Sequence, residues 1–154
     1  MKDYPTLLLV EDNETDIILI KRAFRKSYIA NPLQVVKTIE DAKNYVLGDN
    51  KYSDRTIYPI PVMILLDLKL PDGSGLDFLQ WKKVKDKYKR IPVIILTGSQ
   101  NDEDINKAYD LGANSYIVKP VNFGRLIDMV KSLENYWFVL NKGPEVKEKG
   151  KENA

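Results

Sequence analysis

The sequence predicts an α/β fold in which five parallel strands form one doubly wound sheet with five helices on its two faces. Three observations predict it. Short unbroken apolar runs recur along the chain, amphipathic helical patterns separate them, and the runs end abruptly in polar groups. Regular alternation of strand and helix implies a parallel sheet, because each crossover helix returns the chain to the same edge with a right-handed turn.

The first strand is Thr6-Leu7-Leu8-Leu9-Val10, fully apolar after its first residue and ending in Glu11-Asp12. Asn13-Glu14-Thr15-Asp16 then places acids in the first turn of a helix, where they favour the positive end of its dipole. Ile17, Ile20 and Phe24 follow at helical spacing, with Lys21, Arg22, Arg25 and Lys26 between them. Asn31-Pro32 breaks the pattern, and Leu33 to Lys37 is a short strand rich in β-branched residues. Thr38 has the chemistry of a helix cap, Ala42, Tyr45 and Val46 mark the buried side, and Gly48 stops the helix. Asp49 to Pro61 is polar, then aromatic and proline-containing, and reads as a long surface loop.

Val62 to Leu66 is a strand apolar on both faces that delivers Asp67, followed by the turn Leu68-Lys69-Leu70-Pro71-Asp72-Gly73. Ser74-Gly75 opens a helix through Leu76, Leu79 and Val84, with lysines in its later turns. Pro92 to Thr97 is a fourth buried strand ending in a hydroxyl. Asp102-Glu103-Asp104 starts the next helix, which carries Ile105, Ala108 and Leu111 and ends at Gly112. Ser115 to Lys119 is the fifth strand, stopped by Pro120. Asn122 caps a last helix whose Phe123, Leu126, Val130, Leu133 and Trp137 follow a 3-4-3-4 spacing. The main domain is read as residues 1–140. Residues 141–154 alternate Lys and Glu with nothing to bury, the composition of a disordered tail.

Composition excludes several chemistries. The 154 residues are 44% hydrophobic and 30% charged, which suits one domain with a real core. Without Cys or His there is no disulfide, thiolate nucleophile, Cys metal site, imidazole base or imidazole ligand, so carboxylates, hydroxyls and lysines carry the chemistry. A net charge of +2 does not make a nucleic-acid footprint. No apolar run approaches the ~20 residues of a membrane span, and Met1-Lys2-Asp3 does not begin a signal peptide. A soluble cytoplasmic protein that binds neither nucleic acid nor membrane is expected.

With the flavodoxin-like strand order 2-1-3-4-5, Glu11 and Asp12 lie beside Asp67 at the switch point, and Thr97 and Lys119 join the same edge. Three carboxylates in one crevice repel one another, and a divalent cation relieves that repulsion. Oxygen-only ligands suit Mg²⁺. Asp67 can then serve as a nucleophile that takes a phosphoryl group, with Mg²⁺, the Lys119 ammonium and the Thr97 hydroxyl each neutralising one of its oxygens.

Glu11-Asp12, Asp67 with Leu70-Pro71 and Gly73, Thr97-Gly98, and Tyr116 with Lys119-Pro120 together resemble the receiver domain of two-component response regulators. The resemblance spans about residues 5 to 135. It implies that Asp67 is the phosphoacceptor, Asp12 a direct Mg²⁺ ligand, Glu11 a ligand through water, and the backbone carbonyl of Lys69 a further ligand. It makes Thr97 and Tyr116 the switch pair. Glu11 departs from the family's more usual Asp, which lengthens one arm of the metal site. The long loop before Pro61 and the last helix ending Tyr136-Trp137-Phe138 resemble more narrowly the cyanobacterial phytochrome response regulators.

The resemblance implies a stand-alone switch, phosphorylated by a sensor histidine kinase such as a phytochrome, promoting its own aspartyl phosphorylation and dephosphorylation, and signalling to a downstream protein by contact. Tyr136, Trp137 and Phe138 cannot all face one core, so a homodimer contact is expected among them. Two other readings remain. A receiver-fold scaffold would bind partners without phosphorylation. An Asp-nucleophile phosphohydrolase would want a second acid two residues after its nucleophile, where this chain has Lys69.

Overall fold

The computed structural model describes residues 4–140 and 143–146, with the backbone alone for 138–140. Five parallel strands, β1 (Leu7–Val10), β2 (Leu33–Val36), β3 (Met63–Leu66), β4 (Val93–Thr97) and β5 (Ser115–Val118), form one sheet in the order β2-β1-β3-β4-β5. The helices are α1 (Glu14–Lys26), α2 (Ile39–Leu47), α3 (Gly75–Lys83), α4 (Asp102–Asp110) and α5 (Phe123–Leu133). The expected topology is therefore present.

The two-residue period of a strand explains the layering. Leu8, Val10, Ile64, Leu66, Val93 and Ile95 point to one face, against α2, α3 and α4. Their neighbours Leu7, Leu9, Met63, Leu65, Ile94 and Leu96 point to the other, against α1 and α5. Each such side chain contributes about 1.5–3 kcal/mol by leaving water, so the three central strands fix the register of the sheet. With polar residues removed from both faces, the carboxylates and hydroxyls lie at the strand ends.

The caps follow the local sequence. Asn13, Thr38, Ser74, Asn101 and Asn122 each accept a hydrogen bond from the first turn of α1 to α5 in turn. Ser74 and Asp77 complete a reciprocal capping box. Asp72, expected only as a turn residue, does more: its carboxylate accepts from the backbone amides of Ile39 at 2.9 Å and Glu40 at 3.1 Å. It ties the turn after Asp67 to the positive end of α2. That turn is a small antiparallel hairpin of Lys69–Leu70 and Gly73–Ser74.

Three expectations need correction. The segment 49–61 is not merely a surface loop: Tyr52 is buried, and Tyr45, Tyr52 and Tyr58 pack in tilted and edge-to-face contacts with centroids 5.1–5.9 Å apart. Arg55 from the same segment donates to the carbonyls of Tyr45 at 2.8 Å and Val46 at 2.6 Å, satisfying the free end of α2. Val84 is the exposed C-cap of α3 rather than part of its buried stripe, whereas Lys82 is buried. The last helix does not continue as a uniform α-helix; after Leu133 it widens into π-helical turns over Glu134–Leu140. There Trp137 packs on the α1–α5 side of the core, and Tyr136 is exposed. The side chain of Phe138 lies outside the described residues. So do residues 141, 142 and 147–154 of the expected tail, although Val146 packs against the α2–α4 side of the core.

Candidate phosphoacceptor and metal site

The carboxyl ends of β1, β3, β4 and β5 surround a crevice of about 550 Å³ lined by Glu11, Asp12, Asp67, Lys69, Thr97 and Lys119, among others. Six residues singled out in the sequence are therefore brought together. The parallel register explains it: Val10 pairs with Leu66, so Glu11 and Asp67 emerge side by side, and Thr97 pairs with Val118, so Lys119 emerges beside them.

Lys119 organises the charges. Its Nζ is 2.8 Å from Asp67 Oδ2, 2.5 Å from Glu11 Oε1 and 2.8 Å from Asp16 Oδ2. An ammonium has three donors, and here each faces a carboxylate. Burial alone would lower its pKa, but the bonds to Asp16, Asp67 and Glu11 outweigh it and hold the group above the ordinary lysine range. Burial also opposes ionisation of Asp67, yet hydrogen bonds from Lys119 and Thr97 keep that carboxyl below its ordinary range. Glu11, only 1% exposed, carries the cost: burial first, and then the charge of Asp67, push it up to about 7 against the pull of Lys119.

A bound cation would offset that cost. Carboxylate oxygens of Glu11, Asp12 and Asp67 all lie within 4.8 Å of one another, and Asp12 is solvent-exposed, leaving room for water ligands. An all-oxygen set of this kind fits a hard divalent cation. The Lys69 amide donates to Asp67 Oδ1 at 3.3 Å, which orients the carboxylate. Gly75 makes the geometry available: a Cβ there would sit 2.3 Å from the Asp67 carbonyl oxygen, so only glycine lets α3 start this close to the acid.

The expected switch pair is placed in two layers. Thr97 is buried in the crevice wall. Tyr116, behind it on β5, donates through its hydroxyl to the Ser99 carbonyl at 3.0 Å. Ser99 in turn donates to Asp104 at 2.8 Å, so Tyr116 is linked through the β4–α4 connection to the first turn of α4. Tyr136 and Trp137 lie outside the crevice lining, on the continuation of α5. The sequence reading missed Asp16, taken only as a helix-dipole acid. Its position was the available signal: it lies in the first turn of the helix that starts directly after the Glu11-Asp12 strand end.

The response regulator receiver domain family matches residues 7–131, and the chain belongs to that family. The class is thus a signalling switch. Within it the chain is similar to the cyanobacterial phytochrome response regulators. It is 34% identical to Rcp1 of Synechocystis sp., over 85% of this chain and 87% of that protein. The structure of the phosphorylated cyanobacterial phytochrome response regulator RcpA superposes with a TM-score of 0.85 at 35% identity, covering 93% of this chain and all of that one. FilR2 of Methanothrix harundinacea, a regulatory protein assigned to methanogenesis, is 35% identical over 90% of this chain and 86% of its own length. Rcp1 also has a solved Mn²⁺-bound form, with a TM-score of 0.82 at 33% identity over 92% of this chain and 99% of that one. Among the described residues no helix is long and apolar enough to cross a membrane.

Proposed function

We propose that Asp67 accepts a phosphoryl group from the phosphohistidine of a sensor kinase and that the chain signals through the resulting change of shape. One observation carries the reading: the Asp67 carboxylate is held ionised by Lys119 at 2.8 Å while flanked by two further acids. An Asp67 oxygen attacks phosphorus, the phosphorus–nitrogen bond to the donor breaks, and its electron pair returns to the donor imidazole. Lys119 then moves from carboxylate to phosphoryl oxygen, and the Thr97 hydroxyl donates to another. Glu11, Asp12, Asp67 and the Lys69 carbonyl would hold Mg²⁺, which supplies positive charge for the transferring group.

Tyr116 transmits the change. Movement of Thr97 towards the phosphoryl group draws the 98–100 connection with it, and the bond between Tyr116 and Ser99 is the contact that must rearrange. The outward consequence falls on α4, β5 and α5, where Tyr109, Val118 and Val121 are exposed. Similarity to Rcp1 and RcpA favours a phytochrome-type kinase as donor. The match over most of the length of Rcp1 and all of RcpA favours a receiver acting through protein contact. Tyr136, 61% exposed, is the group offered to a second copy of the chain.

The test is intact-protein mass after incubation with acetyl phosphate and Mg²⁺, on the native chain and on Asp67→Asn. A base-labile gain of one phosphoryl group, absent in Asp67→Asn and without Mg²⁺, is expected. No adduct in the native chain would favour the unphosphorylated scaffold; release of phosphate from an external ester would favour the hydrolase. Sedimentation of native and phosphorylated protein at tens of micromolar, beside Tyr136→Ala, tests the dimer.

A further inference from the structure

At the edge of the sheet opposite the acidic crevice, the end of α3, the chain leading into β4 and the end of α4 enclose a second cavity of about 330 Å³. Lys82, Lys83, Lys89 and Arg90 line it together with Leu79 and Leu111, and among the described residues no carboxylate lines it. We propose that this cavity is a binding site for a small multivalent oxyanion, of the class of pyrophosphate or the diphosphate group of a nucleotide, with Lys82 at its base.

Lys82 carries the argument. It is 5% exposed, yet among the described residues its ammonium meets one acceptor, the Lys89 carbonyl at 2.9 Å, and no counter-charge. A buried ammonium has three donors to satisfy, and burying it without an anion is costly. The cost is visible in its proton affinity: burial pushes Lys82 down to about 8. A methionine of similar volume would avoid that penalty in a position that served only packing.

The rim is built to the same purpose. Lys83 donates to the Asp110 carbonyl at 3.2 Å, which fixes its stem over the cavity. Lys89 pairs at 3.2 Å with Asp86, an exposed carboxylate that solvent and salt screen. Arg90 adds a planar fork suited to two oxygens of one phosphate. Four cations against one screened acid favour a ligand with more than one negative charge. The volume accommodates a diphosphate, and Leu79 and Leu111 offer an apolar wall to an organic group beyond it.

The test is isothermal titration of the full, metal-free chain at constant ionic strength, with a chelator present so that the acidic crevice repels anions. Inorganic pyrophosphate and ADP are the two probes. Binding of pyrophosphate in the micromolar to millimolar range is expected, weakened roughly tenfold or more in Lys82→Met and in Arg90→Ala. Arg90 is exposed, so its variant folds whatever Lys82→Met does, and phosphoryl uptake from acetyl phosphate in Arg90→Ala should equal that of the native chain. Tighter binding of ADP than of pyrophosphate would place a nucleotide's organic part on the leucine wall; equal binding would confine recognition to the diphosphate. Absence of pyrophosphate binding at millimolar concentration, or equal binding by native and Arg90→Ala chains, would overturn the proposal.

Discussion

Lys119 Nζ lies 2.8 Å from Asp16 Oδ2, joining the end of β5 to the first turn of α1 across 103 positions of sequence. Of the three acids that hold this ammonium, Asp16 is the one outside the acidic cluster of Glu11, Asp12 and Asp67. If Asp67 is phosphorylated as proposed, a cation and the phosphoryl group would draw Glu11 and Asp67 away and leave Asp16 to keep Lys119 over the crevice. Asp16→Asn should therefore slow phosphoryl uptake several-fold at saturating Mg²⁺ while leaving Mg²⁺ affinity nearly unchanged. Its effect on stability should stay within about 1 kcal/mol, since the pair is partly solvated. Uptake rates measured across a Mg²⁺ titration separate the two quantities.

Glu11 predicts a pH dependence with a definite sign. Its carboxyl, ordinarily near 4.5, is raised to about 7 in the folded, metal-free chain. Between those values the folded state holds a proton that the unfolded state has released, so stability falls as pH rises through the window and the penalty is complete above about 7. Asp67 acts oppositely, stabilising above its ordinary value of 3.8 and losing that contribution in acid, outside the window. Urea midpoints of the metal-free chain should drop from about pH 5 to pH 8, and Glu11→Gln should flatten the curve. Mg²⁺ affinity should rise over the same interval, because metal and proton compete for one carboxylate.

Gly75→Ala tests whether α3 positions the acceptor. The added carbon would meet the Asp67 carbonyl oxygen at 2.3 Å and Leu68 Cα at 3.1 Å, both backbone atoms that cannot rotate away. A loss of about 1–3 kcal/mol is expected, with slower phosphoryl uptake because the strain is relieved by moving Asp67. A denaturation midpoint and an uptake rate measured on the same sample check both parts.

Arg55→Ala should separate stability from chemistry. It removes donors to the carbonyls of Tyr45, Val46 and Tyr58 and leaves the end of α2 without its partners. About 1–3 kcal/mol should be lost. The uptake rate at a temperature where the variant is folded should match the native chain, since Arg55 does not line the crevice.

Much of this molecule is legible locally. Three strands apolar on both faces, helix caps such as Thr38 and Asn122, and acids that end strands are statements about neighbours in sequence, and period and capping chemistry act at that range. Right-handed crossovers then leave few topologies, and strand order follows, bringing Glu11, Asp67, Thr97 and Lys119 to one edge. Other features are not local. Asp72 capping α2, the tyrosine cluster beside Arg55, and Trp137 packing on the α1–α5 side depend on which distant surface each side chain meets.

The sequence by itself determined the sheet, its order and the identity of the polar groups at its carboxyl edge, because period, turn chemistry and handedness act over short stretches of chain. Only the tertiary structure decided what those groups do to one another. Lys119 bridges Glu11, Asp67 and Asp16, and Lys82 on a lysine-rich helix is buried with no counter-charge among the described residues. Charge and proton affinity depend on desolvation and on ångström-scale distances, which exist only once elements far apart in sequence have packed.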